Sequence, residues 1–148
     1  MAGVSIKNLT RSYRGHPSVF SAIAKDVLPG WDISLAFVGE AKARALNKQL
    51  RDKDYVPNVL SYTLGKKSAE IIICPSEAAR QAPAFQLPAS SFLLLLFIHG
   101  ALHIRGWVHG ARMERCERNL LATYGAAHSH RHRHRYVPGK NGRRRGTL

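Results

Sequence analysis

The sequence predicts a single compact domain of mixed α and β structure, and three features predict it. At 148 residues the chain suits one hydrophobic core rather than two. Short segments with strand-like alternation interleave with helix-spaced segments through the first half. The second half is helical and is dominated by one long apolar stretch that runs into a group of histidines.

The elements are read in chain order. Val4 to Leu9 alternates weakly and predicts a first strand. Ser18 to Val27 carries Phe20, Ile23, Ala24 and Val27 at helical spacing and stops before Pro29 and Gly30. Ile33 to Val38 reads as a second strand. From Gly39 to Arg51, Ala41, Ala45 and Leu46 are separated by basic residues, which predicts an amphipathic helix with a basic outer face. A charged, turn-rich loop leads into a strand over Val59 to Leu64, and Gly65 with two lysines connects it as a hairpin to Glu70 to Cys74. Ser76 to Gln81 predicts one short helical turn, because Pro83 and Pro88 interrupt the stretch after it. A long apolar helix then runs from Ser90 into His103. Met113 to Tyr124 predicts the last helix, with Leu120, Leu121 and Tyr124 inward, Glu114, Arg115 and Arg118 outward, and Gly125 as its stop. Residues 1–127 make the body, and 128–148 form a basic tail with little apolar content, expected to be disordered alone.

Composition narrows the partner. Lys and Arg number 23 against nine acids, a formal charge of +14. Seven of the 23 lie in the tail, so the body keeps 16 basic against nine acidic side chains. A surplus of this kind favours a polyanionic partner such as nucleic acid or an anionic membrane. Cys74 and Cys116 form no CxxC pair and read as reduced thiols. The first residues lack the apolar core of a secretory signal. The run Phe92 to Ile98 falls well short of the roughly 20 residues that span a bilayer. A cytoplasmic protein without a membrane partner is therefore expected.

The chemistry lies in HGALHIRGWVH. His99 and His103 are four apart, on one face of a helix, where two imidazoles share one ion. Gly106 lets the chain turn back and bring His109 round as a third ligand. Three nitrogen ligands leave a coordination position open, the mark of a catalytic zinc rather than a structural one. The spacing is shared with metzincin proteases, H-E-x-x-H-x-x-G-x-x-H, whose glutamate is the general base. This chain has Gly100 at that position, which disfavours peptide hydrolysis.

Four blocks in this order, ISLAFVGEAKARALNKQLR from Ile33, PNVLSY from Pro57, AEIIICP from Ala69 and the histidine stretch from His99, make the sequence similar to the YbeY family of endoribonucleases that act in rRNA maturation. The resemblance implies a compact α+β fold, with a small mixed sheet packed by helices. It further implies one Zn2+ per chain, held in a cleft by His99, His103 and His109, and cleavage of single-stranded rRNA precursor in association with the small ribosomal subunit. Arg51 matches the family's arginine before the strand block, which faces the cleft, and becomes the candidate for holding a substrate phosphate.

Two departures bear on catalysis. Val108 stands where the family usually has Asp, and Gly110 where it often has an acid. Ligand imidazoles depend on a supporting acceptor, whose loss costs about 10- to 100-fold in affinity or activity. Val108→Asp is therefore expected to raise activity. A zinc-stabilised RNA-binding assembly factor that no longer cleaves is the alternative. Among other residues, Glu70 is a candidate polar group near the cleft or at a strand edge, Ser61 a candidate cleft hydroxyl or plain strand position, Asn47 a helix-end hydrogen bonder, and Trp107 a packing aromatic or a base-stacking one. His128, His130, His132 and His134 alternate with Ser or Arg, a poor chelator because the arginines repel a cation. Arg143, Arg144 and Arg145 are expected to bind RNA by releasing counterions.

Overall fold

The computed structural model describes residues 2–10, 13 and 17–125, so the tail, with its histidines and Arg143 to Arg145, lies outside the described residues. The elements in order are β1 (Gly3–Asn8), α1 (Ser18–Val27), β2 (Asp32–Phe37), α2 (Glu40–Arg51), β3 (Val59–Gly65), β4 (Ser68–Ile73), α3 (Pro75–Gln81), a 3-10 turn (Ala82–Phe85), α4 (Ala89–Ile104) and α5 (Ala111–Gly125). The strands form one sheet in the order β1-β2-β4-β3. β1, β2 and β4 run parallel, and β3 pairs antiparallel with β4 as the outer strand. This is the small mixed sheet with helices that the sequence predicts.

Alternation along the strands divides the core into two layers. Ile33, Leu35, Phe37, Val59, Ile71 and Ile73 face α1, α4 and α5. Ala36, Val38, Leu60, Ile72 and Cys74 face the other way, against Ala43 and Leu46 of α2. α4 lies inside the first layer, and every residue from Phe92 to Leu102 is buried. That position explains why the helix is apolar all round. Phe97 meets Phe20 of α1 edge to face at 5.0 Å, a favoured aromatic geometry. Among the described residues no single helix is long and apolar enough to cross a membrane.

The inward face of α2 differs from the expectation. Ala41 and Ala45 are exposed, whereas Ala43 and Asn47 are buried. Asn47 turns inward because its amide Nδ2 donates to the carbonyl of Tyr55 at 3.0 Å, tying the loop beyond the helix back onto it. A buried polar group with such a partner carries little penalty. α3 is also longer than a single turn, a seven-residue helix started by Pro75 at its first position, where a missing N–H costs nothing.

Candidate metal centre

The three motif histidines meet at one point. α4 places His99 and His103 one turn apart, then ends in a Schellman turn: the Gly106 N–H donates to the His103 carbonyl at 2.9 Å and the Trp107 N–H to the Leu102 carbonyl at 3.0 Å. Gly106 takes φ +101°, a conformation L side chains rarely adopt, so glycine is what allows the reversal. The reversed chain brings His109 back over the end of the helix.

The Nε2 atoms of His103 and His99 lie 3.1 Å apart, those of His103 and His109 2.8 Å, and those of His109 and His99 3.2 Å. Three corners of a tetrahedron with metal–nitrogen bonds of about 2.0–2.1 Å are separated by about 3.3–3.4 Å. The triad is therefore within about half an ångström of a three-nitrogen metal site. The ligand set grades from buried His99 through half-buried His103 to exposed His109, so it opens to solvent on the His109 side.

Two of the rings are held in one tautomer. His99 Nδ1 lies 2.7 Å from Oε1 of Glu117, and both side chains are at most 4% exposed. His103 Nδ1 lies 3.0 Å from the Trp107 carbonyl. An ionised carboxylate and a carbonyl only accept, so the protons belong on Nδ1 and bare lone pairs converge at Nε2. Lone pairs at this distance repel one another unless a cation lies among them. Burial, followed by the charges of His99 and His109, pushes the His103 pKa down to about 4, which keeps that ring in its neutral, ligating form.

Glu117 is the residue that sequence reasoning missed. Val108 is 80% exposed, whereas Glu117 of α5 is 3% exposed and supplies the carboxylate to His99 from the buried side. The supporting acceptors come from a different helix and from the Trp107 backbone. A signal was present: Met113, Glu117, Leu121 and Gly125 recur every four residues and are the buried positions of α5.

The remaining candidates sit elsewhere. Arg51 ends α2, in the layer on the far side of the sheet, and donates to Tyr55 Oη at 3.2 Å and Asn47 Oδ1 at 3.4 Å, not to the histidines. Glu70 pairs across β3–β4 with Tyr62, whose hydroxyl donates to it; that contact, with burial as the larger cause, raises the Tyr62 pKa. Tyr62 packs on the α2 side, so Glu70 is not beside the triad. Ser61 faces α4: a Cβ placed on Gly100 would meet Ser61 Cβ at 3.3 Å and Ile71 Cγ2 at 3.5 Å. Gly100 therefore marks close helix–sheet packing, where the glutamate of a metalloprotease has no room.

The model of the family Endoribonuclease YbeY matches residues 5–125. The chain belongs to the YbeY family. Relatives named Endoribonuclease YbeY include one from Aromatoleum aromaticum, 33% identical over 102 residues that span 64% of this chain and 66% of that protein, just under two thirds of its length. Another, from Thiobacillus denitrificans, is 31% identical over 109 residues, spanning 67% of this chain and 74% of that protein. A solution structure from Thermotoga maritima shares the fold, with a TM-score of 0.58 at 23% identity, covering 83% of this chain and 91% of that one. Membership in the YbeY family and three histidines positioned to hold a metal are thus two separate findings that agree.

Proposed function

We propose that this chain is a zinc-dependent endoribonuclease that cuts single-stranded RNA, carries one zinc per chain, and acts in the cytoplasm in rRNA maturation and assembly of the small ribosomal subunit. The observation that supports it most is the convergence of three Nε2 atoms, two of them with tautomers fixed by acceptors on the other ring nitrogen. The names of the relatives and the basic charge support RNA as substrate.

His99, His103 and His109 would hold the ion. When bound, zinc polarises a phosphoryl oxygen and eases deprotonation of water. Glu117 and the Trp107 carbonyl keep the His99 and His103 rings oriented with Nε2 inward. His109 borders a cavity of about 80 Å³ that it shares with Gly110, Met113, Glu114 and Glu117. Glu114, half-buried on that cavity, is the carboxylate we assign to accept the proton of the attacking water. Arg51, half-buried at the end of α2, and the tail arginines Arg143, Arg144 and Arg145 are proposed to hold RNA away from the scissile phosphate. The reading as a non-cleaving assembly factor rests on Val108 and Gly110; against it, Glu117 gives His99 a supporting carboxylate.

Metal content and cleavage of full-length protein and a His103→Ala variant test the proposal together. The tail histidines are common to both, so the difference reports the triad. The expected result is one zinc per chain lost in His103→Ala along with cleavage of single-stranded RNA. Equal metal in both proteins, or cleavage that survives the loss, would overturn it.

A further inference from the structure

The structure assigns a second contact for the nucleic acid beside the triad, at Arg112 and Trp107. Arg112 Cζ lies 4.8 Å from the centroid of the Trp107 ring, so the guanidinium is laid over the indole. Trp107 is itself fixed at the metal turn, because its N–H closes the Schellman turn and its carbonyl accepts from His103. Arg112 is thereby held next to the ligands rather than swinging freely from the surface.

Among the described residues the Arg112 guanidinium donates no hydrogen bond and makes no ion pair, although Glu114 and Glu117 stand on the same helix. With Cζ over the ring, the N–H donors of the fork are left for a ligand. It also stands in the first turn of α5, where the positive end of the helix dipole disfavours a cation and favours an anion. The acidic cavity of Glu114 and Glu117 borders His109.

A ligand that suits this contact carries a phosphate for the fork and a flat apolar group for the uncovered part of the half-buried indole. A nucleotide unit of single-stranded RNA has both. Arg112 then binds the phosphate next to the scissile one, with Trp107 holding the guanidinium flat and offering its free edge to a base. The inference rests on the nuclease reading for its substrate class.

The test uses the full-length, metal-loaded chain as wild type, Arg112→Ala, Arg112→Lys, and Arg115→Ala as an exposed arginine control on the same helix. Metal content is checked in each, and both cleavage kinetics and equilibrium binding of a single-stranded RNA are measured across a salt series. Arg112→Ala is expected to raise KM and Kd about tenfold, with kcat and metal content within about twofold, and to flatten the slope of log K on log salt by about 0.7, the value for one phosphate contact on a single strand. Arg112→Lys recovers only part of the affinity, because an ammonium neither stacks nor forks. Arg115→Ala stays within about twofold. The inference is overturned if Arg112→Ala and Arg115→Ala have equal Kd and salt slope, or if Arg112→Lys equals wild type. Absence of cleavage in wild type, with the binding difference intact, overturns the nuclease reading while the subsite stands.

Discussion

Replacing Glu117 by glutamine changes the metal centre without changing its shape. The wild-type carboxylate accepts from His99 Nδ1 at 2.7 Å in a pair at most 4% exposed, so solvent offers no substitute acceptor. An amide of the same size either keeps its oxygen toward Nδ1, as a weaker neutral acceptor, or presents its NH2. In the second case it favours the tautomer with hydrogen on Nε2, the atom that must bind the ion. Loss of such support costs about 10- to 100-fold in metal affinity, equivalent to about 1.4–2.8 kcal/mol. The assay is competition for zinc against a chromophoric chelator at neutral pH, with His99→Ala as the blank for binding by the tail. A Glu117→Gln affinity within twofold of wild type would refute the assignment of Glu117 as the orienting acceptor. Glu117→Ala should fare worse, because it also leaves a buried N–H unpaired, at about 1–3 kcal/mol of folding stability.

Four further outcomes are expected. Val108→Asp leaves zinc affinity and cleavage within about twofold, measured by the same chelator competition and RNA cleavage, because residue 108 is 80% exposed and Glu117 already supplies the carboxylate. Glu114→Gln lowers kcat about 100-fold or more with KM nearly kept, as loss of a general base does; steady-state kinetics with metal content matched to wild type check it. Gly100→Glu fails to fold or loses at least about 3 kcal/mol in urea unfolding, because its Cβ is 3.3 Å from Ser61 Cβ and its charge is buried without a partner. Metal-free protein loses stability as pH falls below about 6.5, with the decline ending near pH 4. The unfolded chain protonates His103 near 6.5 but the folded chain only near 4, so between them the unfolded state binds more protons. Unfolding at pH 7.5, 5.5 and 4 measures the trend, and a flat profile would show that His103 is not held neutral by the fold.

Helix α1 and the histidine turn were legible in the sequence because local rules decide them. Phe20, Ile23, Ala24 and Val27 mark one buried face at helical spacing, and Gly106 marks the reversal after α4, where φ is +101°. What hydropathy hides is polar burial. Asn47, read as a helix-end hydrogen bonder, does bond the Tyr55 carbonyl beyond the helix but is buried in doing so, and Glu117, which the pattern did not single out, turns inward because His99 lies on a segment brought near only by folding. The same cause misplaced the inward face of α2 and made Val108 look like a loss. Arg51 was matched by sequence block, but block order carries no information on which side of the sheet a helix packs, and α2 packs opposite α4. The sheet order β1-β2-β4-β3 likewise depends on long-range pairing that strand patterns alone do not specify.

X-ray absorption at the zinc edge of stoichiometrically loaded protein tests the central claim most directly, with His103→Ala as the reference for tail-bound metal. Three imidazole nitrogens and one light-atom ligand at about 2.0–2.1 Å are expected, with that signature absent from His103→Ala. A sulfur ligand, a fourth imidazole, or an identical spectrum from His103→Ala would contradict an open three-histidine centre in this chain.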